Sequence, residues 1–314
     1  MILCVNANAA VDKTILIPGF QLNAIHRPKS VLALPGGKGC NVARAIKNLG
    51  GEPLVTGWIG GFTGQFIERG LQTEGIRNEF VHILEESRTC VTIIDPEKET
   101  LTEIYEIGSY VSKDEVDSLE QKFGKLLSHA QLVTISGSLP RGVPSDFYAK
   151  LVRSAHKANR PILLDSHGFA MKIALEAGRV SLIKLNLEEL VGLANQDLPD
   201  LDTIQRFIAE ISRQYKTIAV VTLGSQGAIA GENGRTWLGK PPHVHAISAV
   251  GSGDSSLAAW ALALNQNKST IECLRSGVAA GTANALEIGA GRFEKTDYKR
   301  LLDRVNISQI EFDS

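Results

Sequence analysis

The sequence predicts an α/β protein with a mostly parallel central sheet and a small second sheet. Two observations lead to this prediction. Short apolar runs typical of buried strands alternate with helical patterns along most of the chain, which indicates a parallel sheet covered by helices on both faces. Two β-like stretches without a helical period interrupt that alternation, and pairing between them would form the second sheet.

The central elements follow from the hydrophobic periodicity of each segment. Apolar runs predict strands at residues 2–8, 54–59, 131–135, 161–164, 181–185, 217–222 and 244–249. Helices are predicted from the turn at 35–41 to residue 48, and over 66–74, 113–127, 145–157, 169–177, 203–215 and 255–264. Ser112 with Glu115, and Ser269 with Glu272, form capping-box patterns that mark two helix starts. The tail at 306–314 is expected to be loosely held.

The two β-like stretches cover about 13–35 and 88–108, and each contains turn residues between short strands. We expect them to form a lid over the main sheet rather than an independent fold. The chain, residues 1–314, is accordingly predicted to be one domain with this lid inserted into the α/β core.

Composition excludes several classes of function. The net charge is -1 and no basic cluster is present, which argues against binding to nucleic acid or to a membrane surface. The four cysteines are widely spaced, so reduced thiols are expected rather than disulfides or a zinc ribbon. The N-terminus has no basic segment, and the apolar run 257–264 is too short to cross a bilayer. The sequence therefore predicts a soluble cytoplasmic protein with small-molecule partners.

The glycine turn before the last apolar helix is the strongest candidate for a site. Gly251, Ser252 and Gly253 precede Asp254 where a predicted strand gives way to a helix. Backbone amides at a helix start attract anions, and glycines allow a phosphate to approach them closely. Asp254 could then act as a base beside a phosphoryl group, or it could simply be an acid that complements the helix dipole. A dinucleotide fingerprint is excluded, because Ser256 stands where that motif requires glycine.

A second glycine turn, at 35–41, opens the first predicted helix. Lys38 lies between glycines, which is typical of close backbone approach to a ligand, although a glycine turn before an ordinary helix is the alternative. The turn is not a P-loop, because Gly39 follows Lys38 where that motif has serine or threonine.

Polar or glycine-rich residues also follow the other predicted strands, at 8–12, 60–61, 136–138, 165–168, 186–189 and 223–225. In open parallel sheets ligands bind outside the carboxyl ends of the strands, so these residues are expected to share one site. Asn186 and Glu189 could hold the waters of a Mg²⁺ ion, although Glu189 as a capping acid in the first turn of a helix is the simpler explanation. His243 and His245 project to one face of the predicted strand, but no third metal ligand is nearby.

The segments 35–44 (PGGKGCNVAR) and 249–255 (AVGSGDS) resemble the two signatures of the PfkB, or ribokinase-like, carbohydrate kinases. Lys38 and the segments 8–12 (NAAVD) and 136–140 (SGSLP) resemble its hexose-phosphate branch, which contains 1-phosphofructokinase and tagatose-6-phosphate kinase. The resemblance spans nearly the whole chain. It implies a ribokinase-like three-layer sandwich whose β-sheet lid pairs two subunits in many members, so a homodimer through the lid is an expectation.

The resemblance also implies roles for individual residues. Asp254 would be the catalytic base, and the amides of Gly251, Ser252 and Gly253 would form the anion hole. By the same resemblance, the sugar hydroxyls would be bound by Asp12, Gly36, Gly37 and Asn41, and the sugar phosphate by Arg27, Lys38, Arg88 and Ser138. The nucleotide would be bound by Lys184, Thr222, Gly224 and Asn284. Mg²⁺ would be held through water by Asn186 and Glu189.

The implied activity is ATP- and Mg²⁺-dependent phosphorylation of fructose 1-phosphate, tagatose 6-phosphate or fructose 6-phosphate, with a monovalent-cation requirement left open. A kinase for an unphosphorylated sugar or nucleoside, and a catalytically silent sugar-phosphate sensor, are the alternatives. Three positions depart from the branch: Ala9 and Leu185 stand where proline is usual, and Ala259 stands where glycine is common. These departures affect loops and packing more than chemistry.

Overall fold

The computed structural model describes residues 1–310 and contains an 11-stranded sheet and a 4-stranded sheet. The strands are β1 (Ile2–Asn6), β2 (Ala10–Leu16), β3 (Ser30–Gly36), β4 (Pro53–Gly60), β5 (Arg77–Asn78), β6 (Val81–Ile83), β7 (Arg88–Asp95), β8 (Thr100–Tyr105), β9 (Leu132–Ser136), β10 (Ile162–Asp165), β11 (Leu182–Asn186), β12 (Ile218–Thr222), β13 (Ala228–Glu232), β14 (Arg235–Lys240) and β15 (Asn306–Ile310). The helices are α1 (Lys38–Asn48), α2 (Gly61–Thr73), α3 (Lys113–Leu127), α4 (Phe147–Lys157), α5 (Gly168–Ala177), α6 (Leu187–Ala194), α7 (Leu201–Gln214), α8 (Ser252–Asn265), α9 (Thr270–Asn284) and α10 (Lys295–Leu302).

The larger sheet is parallel through its centre and antiparallel at one edge. Its order is β15-β14-β13-β12-β11-β10-β9-β1-β4-β5, with β6 beside β4. The neighbours from β12 to β5 run parallel, whereas β12 to β15 pair antiparallel. The prediction of a mostly parallel central sheet is therefore confirmed.

Helices cover both faces of this sheet, so the fold has three layers. Along β1, Ile2 and Cys4 belong to one buried apolar cluster and Leu3 and Val5 to the other, as the alternation of side chains in a strand requires. The first cluster draws on α1, α2, α8, α9 and α10, and the second on α3 to α7. Because both faces are covered, the central strands are continuous apolar runs instead of alternating ones.

The small sheet forms as predicted from the two β-like stretches. Its order is β3-β2-β7-β8, with β2 parallel to β7 and the other pairs antiparallel. Its β2 strand begins at Ala10, a few residues before the predicted segment. Helix α2 lies against it so closely that a Cβ on Gly70 would come within 2.4 Å of Pro35 Cγ. The small sheet is thereby fixed over the end of the central sheet where β1 finishes.

The structure corrects two predicted elements. Residues 244–249 do not form a strand, so His243 and His245 share no strand face. The segment is largely exposed and makes its hydrogen bonds to the end of α9, where the Ile247 amide donates to the Ala285 carbonyl at 2.7 Å. An alternating apolar pattern marks any extended segment with one side against the protein, and only a free sheet edge makes it a strand.

The tail is the second correction, because Asn306–Ile310 forms β15 against β14. The rest of the predicted loose tail, 311–314, lies outside the described residues. Both capping boxes are confirmed at the starts of α3 and α9. Within residues 1–310, none of the helices has the length and apolar character needed to span a membrane.

Candidate active site

The structure brings the two glycine turns together at the carboxyl edge of the central sheet. Asn41, in the first turn of α1, donates from Nδ2 to Oδ2 of Asp254 at 2.9 Å. Asp12, in β2 of the small sheet, accepts a hydrogen bond from the Gly37 amide at 3.4 Å. Asp254 thus lies beside the loops that the resemblance assigns to the sugar, although 213 residues separate it from Asn41 in the sequence.

The turn before α8 is shaped by glycine. Gly251 has φ 81°, and a Cβ there would lie 2.4 Å from Ala290, so a larger residue would be excluded. No side chain caps α8, and the Ser252 hydroxyl is buried without a hydrogen-bond partner. The Ser252 amide itself donates to the Ala249 carbonyl at 3.2 Å. The start of α8 therefore has a partial positive charge and hydrogen-bond donors without partners, which together favour binding of an anion.

Asp254 is a nearly buried carboxyl group, 7% exposed, on this first turn. Burial, together with the Asp165 carboxylate, raises the pKa of Asp254 to about 6, although Lys38, Asn41 and Lys184 act in the opposite direction. A base whose pKa lies just below neutral is ionised at pH 7 yet still basic enough to accept a proton.

Two lysines converge on Asp165, which ends β10. Lys38 Nζ and Lys184 Nζ each lie 2.7 Å from a carboxylate oxygen of Asp165, and Lys38 Nζ is also 3.3 Å from Glu189. Burial of Asp165 opposes its charge, but the two ammonium groups outweigh burial and lower its pKa to about 2. Burial likewise opposes the charge of Lys38, and the surrounding carboxylates raise its pKa above the usual range. A Cβ on Gly253 would lie 3.2 Å from Lys184 Nζ, so this pair of cations borders the start of α8.

The residues that the resemblance assigns to the sugar phosphate and its hydroxyls form two neighbouring groups. In the first, a Cβ on Gly36 would lie 2.1 Å from the Asp12 carboxyl carbon, so glycine leaves room for that carboxylate. Burial raises the pKa of Asp12, while the Gly37 amide and nearby polar groups partly counter it.

The second group lies at Asn8, next to the start of the small sheet. Asn8 Nδ2 donates to Ser138 Oγ at 3.1 Å, and Arg88 Nη2 donates to the Asn8 carbonyl at 3.4 Å. Arg88 Nε is buried without a hydrogen-bond partner in the described structure. Arg27 lies on the exposed loop between β2 and β3 and makes none of the hydrogen bonds that hold this group.

Asn186 and Glu189 form a capping box at the start of α6. The Glu189 amide donates to Asn186 Oδ1 at 2.7 Å, and the Asn186 amide donates to Glu189 Oε2 at 2.9 Å. Thr222 pairs with Asn186 across β11 and β12, and Gly224 follows on the exposed turn. These residues line the edge of the sheet beyond Lys184.

Asn284 does not reach the surface of the site. It is 0% exposed, accepts from Ser255 Oγ and the Gly291 amide, and donates to the Val250 carbonyl at 2.8 Å. Asn284 therefore supports the turn before α8 in this structure, and its assignment to the nucleotide stays a prediction.

Sequence reasoning gave no role to Asp165 or Arg44. Asp165 belongs to the residues that follow the predicted strands, and its signal in the sequence is a carboxylate at the end of an apolar run. Arg44 belongs to the first signature, and nothing in the sequence indicates that its side chain is buried.

Comparison with known proteins gives a consistent result. The family model described as pfkB family carbohydrate kinase matches residues 5–297. A crystal structure of phosphofructokinase-2 from Escherichia coli in complex with potassium is 31% identical, with a TM-score of 0.90, covering 96% of this chain and 98% of that one. The same protein in complex with fructose-6-phosphate is 30% identical over the same shares, with a TM-score of 0.89.

Two further structures are similar over the full length. A putative phosphofructokinase from Staphylococcus aureus is 25% identical, with a TM-score of 0.81 and 100% of both chains covered. A possible 1-phosphofructokinase from Thermotoga maritima shares the fold at 24% identity, with a TM-score of 0.87, covering 99% of this chain and 100% of that one.

Proposed function

Since this chain belongs to the pfkB family of carbohydrate kinases, we propose that it transfers a phosphoryl group from ATP to a hydroxyl of a ketohexose phosphate. Fructose 6-phosphate, fructose 1-phosphate and tagatose 6-phosphate are the candidate acceptors. The complex of the Escherichia coli neighbour with fructose-6-phosphate makes that sugar the first to test.

The hydrogen bond between Asn41 and Asp254 carries the proposal. It joins the helix that follows the sugar-side glycines to the helix whose start suits an anion. An acceptor hydroxyl held at the glycine turn 35–41 would lie beside the Asp254 carboxylate. The phosphoryl group would then lie over the start of α8.

Asp254 has the properties of the base in this transfer. Of the two Asp254 carboxylate oxygens, Oδ2 accepts the hydrogen bond from Asn41, and Oδ1 accepts none from the described residues. Oδ1 would therefore take the proton of the acceptor hydroxyl. The amide of Gly253 and the hydroxyl of Ser252 would face the phosphoryl oxygens, and Lys38 and Lys184 add positive charge there. The small sheet would exclude water and so limit hydrolysis of ATP.

ATP would supply the phosphoryl group and Mg²⁺ would screen its charge. The residues fit a metal held through water better than one ligated directly, because Glu189 already bonds the Asn186 amide and Lys38. No group of three carboxylate, histidine or cysteine side chains suited to a metal occurs in residues 1–310. Asn186 and Glu189 would therefore orient water ligands, while Thr222 and Gly224 would border the nucleotide. The potassium complex of the Escherichia coli neighbour supports a monovalent cation as a further cofactor.

Arg88 and Ser138 are the proposed contacts for the phosphate already on the sugar. The unpaired Arg88 Nε is a buried donor, and such a donor is costly unless a ligand accepts from it. Arg27 could reach the same phosphate only if its loop folded over the site. The resemblance assigns Lys38 to the sugar phosphate, but its ammonium group is held beside Asp165 and Asp254, and we assign it to the transferring phosphoryl group.

Arg88→Met and Lys38→Met are expected to separate binding from chemistry. Arg88→Met removes a charged donor to the sugar phosphate, so KM for the sugar phosphate should rise about 10-fold or more with little change in KM for ATP. Lys38→Met removes charge from the transferring group, so kcat should fall by about 10²-fold. Initial-rate kinetics with both substrates varied would measure each effect, with the exposed Arg300→Met as a control. If Lys38→Met raised KM for the sugar phosphate and left kcat unchanged, Lys38 would be a contact for the sugar phosphate and not for the transferring phosphoryl group.

We extend the proposal to a single kinase domain that dimerises through its small sheet. Strand β8 is exposed along its whole length and presents Leu101, Ile104 and Tyr105 to solvent. A second copy could cover this face, and phosphofructokinase-2 of Escherichia coli has been described in a tetrameric form. Sedimentation of the protein would test the dimer.

The proposed function is tested by coupled detection of ADP across phosphorylated sugars, free sugars and nucleosides. Turnover with one or more ketohexose phosphates and none with free sugars is the expected outcome. Turnover only with a free sugar or nucleoside would mean that the protein is a kinase for an unphosphorylated substrate. Absence of ADP release with every compound would contradict the kinase assignment.

A further inference from the structure

Arg44 is a buried cation that makes no contact with the turn before α8, yet its side chain ties four segments together, including both ends of the glycine turn at 35–41. Its guanidinium donates to Asn41 Oδ1 at 3.2 Å, to the Ala290 carbonyl at 2.9 Å and to the Pro35 carbonyl at 2.5 Å. Its Nε forms an ion pair with Glu74 at 2.8 Å, and its side chain is only 6% exposed. A guanidinium held at so many points has little freedom to move.

These contacts determine which way the Asn41 amide points. A guanidinium only donates hydrogen bonds, so the oxygen of Asn41 must face Arg44. The amide nitrogen then faces Asp254, where it donates to Oδ2 at 2.9 Å. If the amide were reversed, its NH₂ group would meet the Arg44 donors and its oxygen would meet the carboxylate, and both contacts would be repulsive.

The charged groups around Asp254 come from other elements. Asp165 at the end of β10 raises its pKa, whereas Lys38 on α1 and Lys184 on β11 lower it. On the α9 side the neutral Asn284 bonds Ser255. From the small sheet, Asp12 faces Asn41: burial raises the pKa of Asp12, and the Gly37 amide, Arg44 and Asn41 lower it. Among the described residues, Asn41 is the side chain that donates directly to the Asp254 carboxylate.

We propose that Arg44 is a positioning residue: by fixing the Asn41 amide, it keeps a hydrogen-bond donor on Asp254 and so holds this carboxylate ionised and aimed at the acceptor hydroxyl. The inference deepens the proposed function and rests on Asp254 being its base. Arg44 itself touches no reacting atom.

Arg44→Met is expected to free the Asn41 amide to rotate. A donor to a carboxylate favours the ionised form, so its loss should raise the pKa of Asp254 by about one unit. In the wild-type protein, kcat/KM should fall as pH drops through the Asp254 pKa of about 6. In Arg44→Met this acid limb should move upward by about one pH unit, with KM for ATP little changed.

Two further variants separate positioning from folding. Glu74→Gln removes the ion pair but leaves Arg44 on Asn41, so it should lower thermal stability and leave the acid limb in place. Arg44→Lys keeps a cation opposite Glu74 but cannot also reach Asn41 in the same geometry, so it should fold and still shift the limb. Asn41→Ala should shift the limb by itself, and adding Arg44→Met to it should cause no further shift.

The same pKa can be followed without substrate. ¹³C NMR of the carboxyl carbons would report the titration of Asp254 in the ligand-free protein, assigned by the signal lost in Asp254→Asn. An upward shift in Arg44→Met and in Arg44→Lys supports the inference. An unshifted titration in either folded variant, or an equal extra shift on the Asn41→Ala background, would overturn it. Absence of wild-type turnover would instead count against the proposed function.

Discussion

Asp254→Asn is expected to fold and to bind ATP, but to phosphorylate the sugar phosphate at least ~100-fold more slowly than the wild-type protein. The amide has nearly the same shape as the carboxyl group and can still accept from Asn41, but it cannot take a proton from the acceptor hydroxyl. Since burial raises the pKa of Asp254, the folded protein disfavours its charge, and a neutral side chain there should not destabilise the fold.

Coupled ADP detection at saturating substrates would measure the loss, and calorimetry would measure ATP binding. Asp303→Asn, at the exposed end of α10, is a matched control for the same chemical change and should keep full activity. Turnover within a few-fold of wild type in Asp254→Asn would remove the base from the mechanism.

Asp165→Asn is expected to lower the free energy of unfolding by about 3 kcal/mol at neutral pH, because it leaves two buried or partly buried ammonium groups without their shared carboxylate. Lys184 is 5% exposed at its side chain and has no other ion-pair partner within residues 1–310, whereas Lys38 keeps Glu189. Urea unfolding would measure the change. Asp254→Asn is again the matched comparison, since the same substitution at a buried carboxyl group is predicted to cost little or nothing there.

The pH dependence of this loss has a defined sign. The pKa of Asp165 is lowered to about 2 in the folded protein, below the value of about 3.9 expected in an unfolded chain. Its stabilisation is therefore complete above about pH 4 and is lost as pH falls toward about 2. The difference between wild type and Asp165→Asn should shrink over that range. A difference below about 1 kcal/mol at pH 7 would mean that the lysines are not held by this carboxylate.

The fold was largely predictable because its signals are local. The βαβ rhythm and the two capping boxes are set by residues close together in sequence, and helix α3 begins and ends where its pattern indicates. The antiparallel edge formed by β13, β14 and β15 was missed, because short strands at a sheet edge carry no strong periodicity. The wrong strand at 244–249 has the converse cause: its local pattern is that of an extended segment, but its backbone bonds the Ala285 carbonyl at the end of α9 instead of a strand.

The location of the candidate site was also predictable, since strand-end residues of a parallel sheet share an edge. The residues that long side chains contact were not predictable from the sequence. The ammonium group of Lys38 ends on Asp165, 127 residues away in sequence, and Arg44 ends on Ala290, 246 residues away. Spacing along the chain contains no information about such contacts, so the sequence does not indicate that Lys38 lies beside Asp165 and Asp254.

The most direct test of the account is the position of the acceptor hydroxyl in a crystal structure with a ketohexose phosphate and a non-hydrolysable ATP analogue. The account predicts that the hydroxyl oxygen lies within about 3 Å of an Asp254 carboxylate oxygen, with the terminal phosphoryl group over the start of α8. An acceptor hydroxyl bound out of reach of Asp254, with the phosphoryl group away from Gly253, would contradict it.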